Sequence, residues 1–167
     1  MKRIALLLAA VLLTLSFASC GLAGEKTFEA DGMSITVKGM FTEQNELNED
    51  QNLVLISPDA GVLAVKETFT DIAAANLDPE MSAKEYAAVV MKGNGQTGEP
   101  TEADGLTYFT YTNTSDDTEF TYMAFAYRAS DAFWLVQAYC PTEDFEKQQP
   151  DFITWAKSVT FTESETR

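Results

Sequence analysis

The stretch Glu119–Cys140, EFTYMAFAYRASDAFWLVQAYC, contains two runs of β-prone residues joined by the short turn Ala129-Ser130-Asp131. Apolar residues occupy both odd and even positions of each run, so each predicted strand has two apolar faces. A sheet with one face in water shows alternating apolar and polar residues instead. The stretch therefore predicts two antiparallel strands at the centre of a sheet that is covered on both sides.

The two-residue period of a strand assigns the side chains of this stretch to the two faces of the sheet. Because the chain alternates faces at every residue, each strand contributes one apolar set to either side. Phe120, Tyr122, Ala124 and Ala126 oppose Met123, Phe125 and Tyr127 in the first strand, and Trp134, Val136 and Ala138 oppose Phe133, Leu135 and Tyr139 in the second.

Turn signals divide the rest of the chain into further strands. Asp31-Gly32 is a tight-turn pair inside the β-prone run 28–37. The strand Leu106–Thr112 is joined to the central pair through Asn113–Thr118, which makes a meander. The remaining predicted strands are 53–56 and 62–69, joined by a turn over 57–61, and a last strand over 158–162 that closes the sheet.

The first of two predicted helices runs from about residue 82 to residue 92. Ser82 and Glu85 have the spacing of a capping box, and Met81 and Tyr86 occupy the positions of a hydrophobic staple. Gly93 then provides a helix stop signal.

The second predicted helix lies near the C-terminus. Its apolar stripe consists of Phe152, Trp155, Ala156 and Val159, at the i, i+3, i+4 and i+7 positions of one helix face. Pro150 is expected in its first turn, where a missing N–H costs nothing. A shorter helix is expected before it, from about Thr142.

These elements predict one α+β domain over residues 27–167. Its expected core is an antiparallel β-sheet of about six or seven strands covered by helices on both faces. Neither an internal repeat nor a second domain boundary is visible, and the length suits a single core.

The N-terminal residues have the form of an export signal. Lys2 and Arg3 precede the apolar run Ile4–Leu13, and the small-residue segment Phe17-Ala18-Ser19 ends at Cys20. The cysteine makes the segment resemble the lipobox of bacterial lipoproteins, in which the sulfur is acylated. The apolar run is shorter than the roughly 20 residues that span a bilayer.

The N-terminal pattern predicts a signal peptide over 1–19, lipidation at Cys20, and a lipidated N-terminus with a short tether over 20–26. The protein is then exported and anchored by its lipid to the outer face of a bacterial membrane, in the cell envelope. An uncleaved membrane anchor and a buried N-terminal helix remain as alternatives.

The charge of the chain limits its partners. Without residues 1–19, nine basic and 26 acidic residues remain, a net charge of −17. Such a surface repels nucleic acids and anionic lipid headgroups. A solvated exterior explains the charge most simply, with cationic ligands, metal ions or a basic partner left open. With Cys20 acylated, Cys140 has no disulfide partner and is expected to be a small buried hydrophobe.

No recognisable catalytic, cofactor or metal site is present. The chain has no histidine, which removes Ser-His-Asp and Cys-His chemistry. Gly93–Gly98 matches GxGxxG but follows a helix rather than a strand, so it is expected to be a helix-ending loop. The acidic segments 48–52 and 116–119 could offer oxygen ligands to calcium but do not fit the EF-hand loop, so they are expected to be solvated loops. A carboxylate-dependent hydrolase remains formally possible.

Eight aromatic residues cluster on neighbouring predicted strands. Core packing is their expected role, because strands with two apolar faces need large side chains on both sides. A small-molecule pocket lined by some of them is the alternative. The eight are Tyr108, Phe109, Tyr111, Tyr122, Phe125, Tyr127, Trp134 and Tyr139.

The order of elements resembles that of the PsbP-like superfamily, which includes PsbP, DcrB-type lipoproteins and the Mog proteins. The resemblance rests on the strand–turn–strand opening Phe28–Val37 and on the closing run Phe133–Cys140 followed by 152–161. It implies an antiparallel sheet sandwiched by helices and mostly non-enzymatic adaptor roles. It carries over no functional residues.

The expected function is a non-catalytic cell-envelope lipoprotein that acts as an accessory or adaptor, with an unidentified protein partner. The alternatives are a small-molecule or cation carrier and a carboxylate-dependent hydrolase. An adaptor predicts an exposed apolar or aromatic patch, a carrier a closed pocket with convergent polar groups, and a hydrolase two carboxylates in a cleft.

Overall fold

The computed structural model describes residues 24–44 and 51–162. The predicted signal peptide, the lipidation site Cys20 and most of the acidic segment 48–52 therefore lie outside the described residues. None of the helices in the described part of the chain is both long and apolar enough to cross a membrane.

The main sheet is antiparallel and has seven strands. In chain order they are β3 Thr42–Glu43, β4 Leu53–Ile56, β5 Gly61–Thr68, β6 Thr101–Ala103, β7 Leu106–Ser115, β8 Thr118–Arg128 and β9 Ala132–Pro141. Their order in the sheet is β3, β4, β5, β9, β8, β7 and β6, so the predicted central pair β8 and β9 lies in the interior of the sheet.

A three-stranded sheet and a helix cover one face of the main sheet. The small sheet consists of β1 (Glu25–Ala30), β2 (Met33–Lys38) and β10 (Thr160–Phe161), with β2 in the middle. The helix α3 (Phe145–Ser158) packs on both β2 and β9. Phe152, which is fully buried, joins the large core that forms between these layers.

Two shorter helices lie on the opposite face. They are α1 (Phe69–Ala74) and α2 (Ala83–Gly93), and both begin with a capping box. Ala124 and Ala126 of β8 are small, which lets the backbone of α2 lie close to the sheet. A second core forms here, in which Tyr86 of α2 stacks on Phe133 of β9 at 4.6 Å between ring centroids.

The α+β fold class, the seven-stranded antiparallel sheet and the helices on both faces agree with the prediction. The predicted face assignment of β8 and β9 is also confirmed: Phe125 and Trp134 belong to the core under α3, and Ala124 and Phe133 to the core under α2.

Three local predictions are wrong. The last strand does not close the main sheet: β10 pairs with β2, because α3 returns the chain to the small sheet. Pro150 lies inside α3 rather than in its first turn, since the 3-10 turn Thr142–Asp144 runs directly into the helix. Residue 69 begins α1 instead of ending a strand, because Thr68 and Asp71 form a capping box there.

Candidate functional site

Helix α2 leaves half of its sheet face uncovered. Its eleven residues give a length of about 16 Å at 1.5 Å per residue, whereas the eleven residues of β8 extend about 37 Å. The helix packs on the half of β8 that contains Ala124 and Ala126. The other half of this face has no helix over it in the described part of the chain.

One row of paired residues crosses this uncovered half. Each residue lies directly opposite the next on the neighbouring strand, so all five share a face. Ile56 at one end is 41% exposed, which is unusual for a large apolar side chain in this domain. From β4 to β7 the row is Ile56, Gly61, Tyr139, Tyr122 and Tyr111.

The three tyrosines of the row form a stacked ladder. The centroids of Tyr111 and Tyr122 are 4.8 Å apart with an 8° angle between the ring planes, and those of Tyr122 and Tyr139 are 5.0 Å apart at 21°. Phe120 meets Tyr139 edge-on at 6.0 Å. All four rings are only half-buried. We call Tyr111, Tyr122 and Tyr139 the tyrosine ladder.

Gly61 provides the space for one end of the ladder. A Cβ at this position would lie 2.2 Å from Cζ of Tyr139 and 2.3 Å from its Oη. The Tyr139 ring therefore lies over the backbone of β5, where any larger residue would displace it. Glycine is required here for close approach, not for its backbone conformation.

The ladder hydroxyls are neutral hydrogen-bonding groups at physiological pH. Burial raises the pKa of all three phenols, and the neighbouring Tyr122 contributes a smaller rise at Tyr111 and Tyr139. The pKa of Tyr111 reaches about 12. Its hydroxyl donates to Oε1 of Gln137 over 2.6 Å, which fixes the ring above the sheet.

A cavity of about 460 Å³ adjoins the ladder where α2 ends. Val90, Phe109 and Leu135 form its apolar wall, and Asn94, Gln96, Tyr111, Thr112, Asn113 and Gln137 supply its polar groups. Oε1 of Gln96 is buried and has no hydrogen-bond partner among the described residues. The cavity therefore combines an aromatic ring with amide and hydroxyl groups and has no charged side chain in its lining.

Positive charge is scarce on the strands that carry the ladder. Between Lys92 and Lys147 the sequence has one basic residue, Arg128. That residue lies at the far end of β8, where it contacts Oε2 of Glu80 at 3.3 Å and lies over the ring of Phe69. The ladder end of the sheet is therefore aromatic and acidic.

The cysteine and the acidic segment singled out from the sequence lie outside the ladder. Cys140 is fully buried at the end of β9, and burial, with a smaller contribution from Asp144, raises the pKa of its thiol to about 11. Such a thiol is a core residue rather than a nucleophile. The acidic segment 116–119 consists of the tight turn Asp116-Asp117 and the first two residues of β8.

Two features of the site were not predicted from the sequence. The segment Gly93–Gly98 does end a helix, as predicted, but its Asn94 and Gln96 also line the cavity. Tyr122 and Tyr139 were expected in the core, yet they are only partly buried. The residue types along one face of β8 could have indicated this exposure. Where that face changes from alanine to tyrosine and phenylalanine, it also changes from covered by a helix to open.

Comparisons with known proteins show the fold. The sequence matches no family model and none of the curated proteins. A crystal structure from Bacteroides thetaiotaomicron is similar at a TM-score of 0.57 and 8% identity, over 88% of this chain and 51% of that one. This chain thus spans about half the length of that protein.

Two further solved structures are similar over nearly their whole length. A point mutant of the protein Mog1 matches at a TM-score of 0.51 and 8% identity, over 84% of this chain and 97% of that one. Cyanobacterial PsbP from Synechocystis matches at 0.48 and 11% identity, over 88% and 98%. The Mog1 match shows that the domain has the PsbP-like fold that the sequence resemblance implies.

Replacing Gly61 by alanine is expected to disrupt the ladder while leaving the fold intact. The new methyl group displaces the free end of the Tyr139 side chain, which loses its stacking on Tyr122. Ring stacking contributes about 0.5–1.5 kcal/mol to the free energy of unfolding. Alanine offsets part of the loss, because it lowers the conformational entropy of the unfolded chain relative to glycine. We expect a changed near-ultraviolet circular dichroism spectrum and a change in unfolding free energy within about 1 kcal/mol.

The matched control is Gly93→Ala, because a Cβ at Gly93 meets nothing within 4 Å. It should leave the near-ultraviolet spectrum unchanged. Identical spectra for Gly61→Ala and the wild type would show that Tyr139 does not occupy the space over Gly61.

Proposed function

We propose that this domain is a non-catalytic binding module that holds a partner protein against the uncovered half of its main sheet. The observation that carries the proposal is the tyrosine ladder: three stacked, partly buried rings in one row with the exposed Ile56. Contiguous apolar and aromatic surface that reaches solvent in this way marks interaction sites in proteins.

The ladder has the properties of an interface rather than of an unfinished core. Tyrosine is enriched in protein interfaces because a rigid ring with two side-chain torsions loses little entropy when it is buried. Mutual stacking and the bond from Tyr111 to Gln137 hold the rings in place before any partner arrives. Preorganisation of this kind lowers the cost of association.

We also propose that the protein acts in the cell envelope. The export signal and Cys20 support an exported lipoprotein, and β1 begins only five residues after that cysteine. At about 3.5 Å per residue the connecting segment reaches roughly 17 Å, so the domain is held close to the membrane surface. A tether of this length is sufficient for an adaptor that meets its partner at the membrane.

Replacing Cys20 by serine tests the anchoring part of the proposal. Serine has no thiol to acylate, so we expect loss of metabolic labelling by a fatty-acid analogue and loss of the protein from the membrane fraction. Cys140→Ser is the control, because a buried core thiol takes no lipid. Labelling that survives in the Cys20 variant would contradict lipid attachment at this residue.

Site-specific photocrosslinking in cells tests the binding part. A photoreactive amino acid at Ile56, next to the ladder, is expected to give one reproducible adduct with an identifiable protein. The adduct should be lost when Tyr122→Ser is added, because removing a central interface tyrosine costs about 2 kcal/mol or more, roughly 30-fold in affinity.

The control for crosslinking is the same photoreactive residue at Thr154, which is exposed on α3 at the opposite face of the sheet. It should give no such adduct. Equal adducts from Ile56 and Thr154, or an Ile56 adduct that persists in a folded Tyr122→Ser variant, would exclude the ladder as the binding surface.

A second candidate function, a small-molecule carrier, is favoured by the cavity at the end of α2. Its single supporting observation is the unpartnered Oε1 of Gln96, which an uncharged ligand with a hydrogen-bond donor would satisfy. A carrier predicts a bound compound in native mass spectrometry of the purified protein that Gln96→Ala releases and the exposed control Gln44→Ala retains. A wild-type mass without added compound would count against the carrier.

A further inference from the structure

The strand β7 has an open outer edge beside the ladder. Its first three residues, Leu106–Tyr108, pair with β6, but β7 continues to Ser115. From Phe109 onward no strand or backbone group of the described residues pairs with its outer side. About seven residues therefore present an unpaired edge, which is a template for another strand.

The register shows which backbone groups point outward. β7 and β8 are joined by the two-residue turn Asp116-Asp117, both with positive φ, so the flanking pair Ser115 and Thr118 exchanges backbone hydrogen bonds. Pairs then alternate between bonded and unbonded. The residues of β7 whose N–H and C=O groups point away from β8 are therefore Thr110, Thr112 and Thr114.

The turn between β6 and β7 leads to the same assignment independently. Its two-residue loop Asp104-Gly105 makes Ala103 and Leu106 a bonded pair, so Leu106 and Tyr108 bond outward to β6. Counting on by two along β7 again reaches Thr110, Thr112 and Thr114. Both ends of the strand thus give one consistent pattern.

This edge lacks the features that usually prevent strand addition. Proteins protect exposed edges with lysine, proline, bulges or very short strands. Residues 106–115 contain no charged residue and no proline, and the pairing with β8 runs without a bulge from Thr107 to Ser115. The open part is β-branched threonine at every second position.

We propose that the partner binds by adding an extended segment as a further strand along Thr110–Thr114, with basic residues beside the turn at Asp116 and Asp117. This inference rests on the proposed function and names the binding mode of the same site. Alternate side chains of the added strand lie on the ladder face, against Tyr111 and the apolar wall of the cavity.

Charge complementarity identifies the occupant. Asp116, Asp117 and Glu119 lie at the end of the open edge, and Arg128, the one basic residue of this part of the chain, lies at the other end of β8. A segment with lysine or arginine near the turn is attracted to it. A second copy of this strongly acidic chain is repelled, so self-pairing along β7 is disfavoured.

The test uses the purified full chain and a display library of random nine-residue peptides. Selected peptides are expected to alternate apolar and polar residues and to be rich in lysine and arginine. On binding of the tightest peptide, the amide protons of Thr110, Thr112 and Thr114 should exchange with solvent at least ten times more slowly.

Two variants at one position separate backbone pairing from side-chain contact. Thr112→Pro removes an outward N–H, which an edge strand tolerates, and Tyr111 before it is already extended, as a residue before proline prefers. Thr112→Val keeps the N–H and the β-branched shape. We expect peptide affinity to fall at least tenfold in Thr112→Pro and to stay within about twofold in Thr112→Val, with both variants folded by circular dichroism.

Each contrary outcome overturns a distinct part. If Tyr122→Ser abolishes peptide binding but a folded Thr112→Pro variant retains it, strand addition is overturned and the proposed function stands. If neither substitution changes peptide binding, strand addition and the proposed function are both overturned. If no peptide is selected, or if acidic peptides are preferred, the stated chemistry of the partner is overturned.

The occupant of the edge can also prove to be different. A dimer in analytical sedimentation that dissociates in the Thr112→Pro variant shows a second copy of this chain as the occupant. Protection of the three amides in the free monomer shows that another part of the same chain covers the edge.

Discussion

The mismatch in length between a short helix and the long strands beneath it determines most of what this domain presents to its surroundings. A residue advances about 1.5 Å in a helix and about 3.4 Å in an antiparallel strand, so an eleven-residue helix covers less than half of an eleven-residue strand. Ala124 and Ala126 bring α2 close to β8 over the covered half. Beyond the end of the helix the same strand face carries tyrosine and phenylalanine, which remain only partly buried.

The opposite face of the sheet carries the larger of the two cores, and this difference separates stability from binding. There α3 and the sheet of β1, β2 and β10 bury Phe152, Trp134 and their neighbours in the larger core. Because the fold is held mainly from that side, the tyrosine ladder is free to exchange solvent for a partner without loss of the domain. A fold alone specifies no function, and here two rings of the candidate site, Tyr122 and Tyr139, belong to neither of the two buried cores.

The chemistry of the open half is consistent across its parts. The ladder hydroxyls are protonated at physiological pH, and burial raises their pKa further. The cavity lining is uncharged, the edge of β7 offers free backbone groups, and the adjoining turn is acidic. Together they suit an extended, basic and partly apolar peptide segment better than an anionic ligand. The proposed tether at Cys20 would hold this surface close to a membrane.

Apolar patterning in the sequence is enough to predict the central strands β8 and β9 with their faces, the Ser82 capping box predicts α2, and the stripe at Phe152 and Trp155 predicts the C-terminal helix. These elements depend on contacts between residues a few positions apart, which the sequence shows directly. The pairing of β10 with β2, the position of Gly61 under Tyr139 and the openness of the ladder arise from the packing of segments that are distant in sequence. Whether a tyrosine is core or surface depends on where a helix distant in sequence ends above it, and no local pattern records that distance.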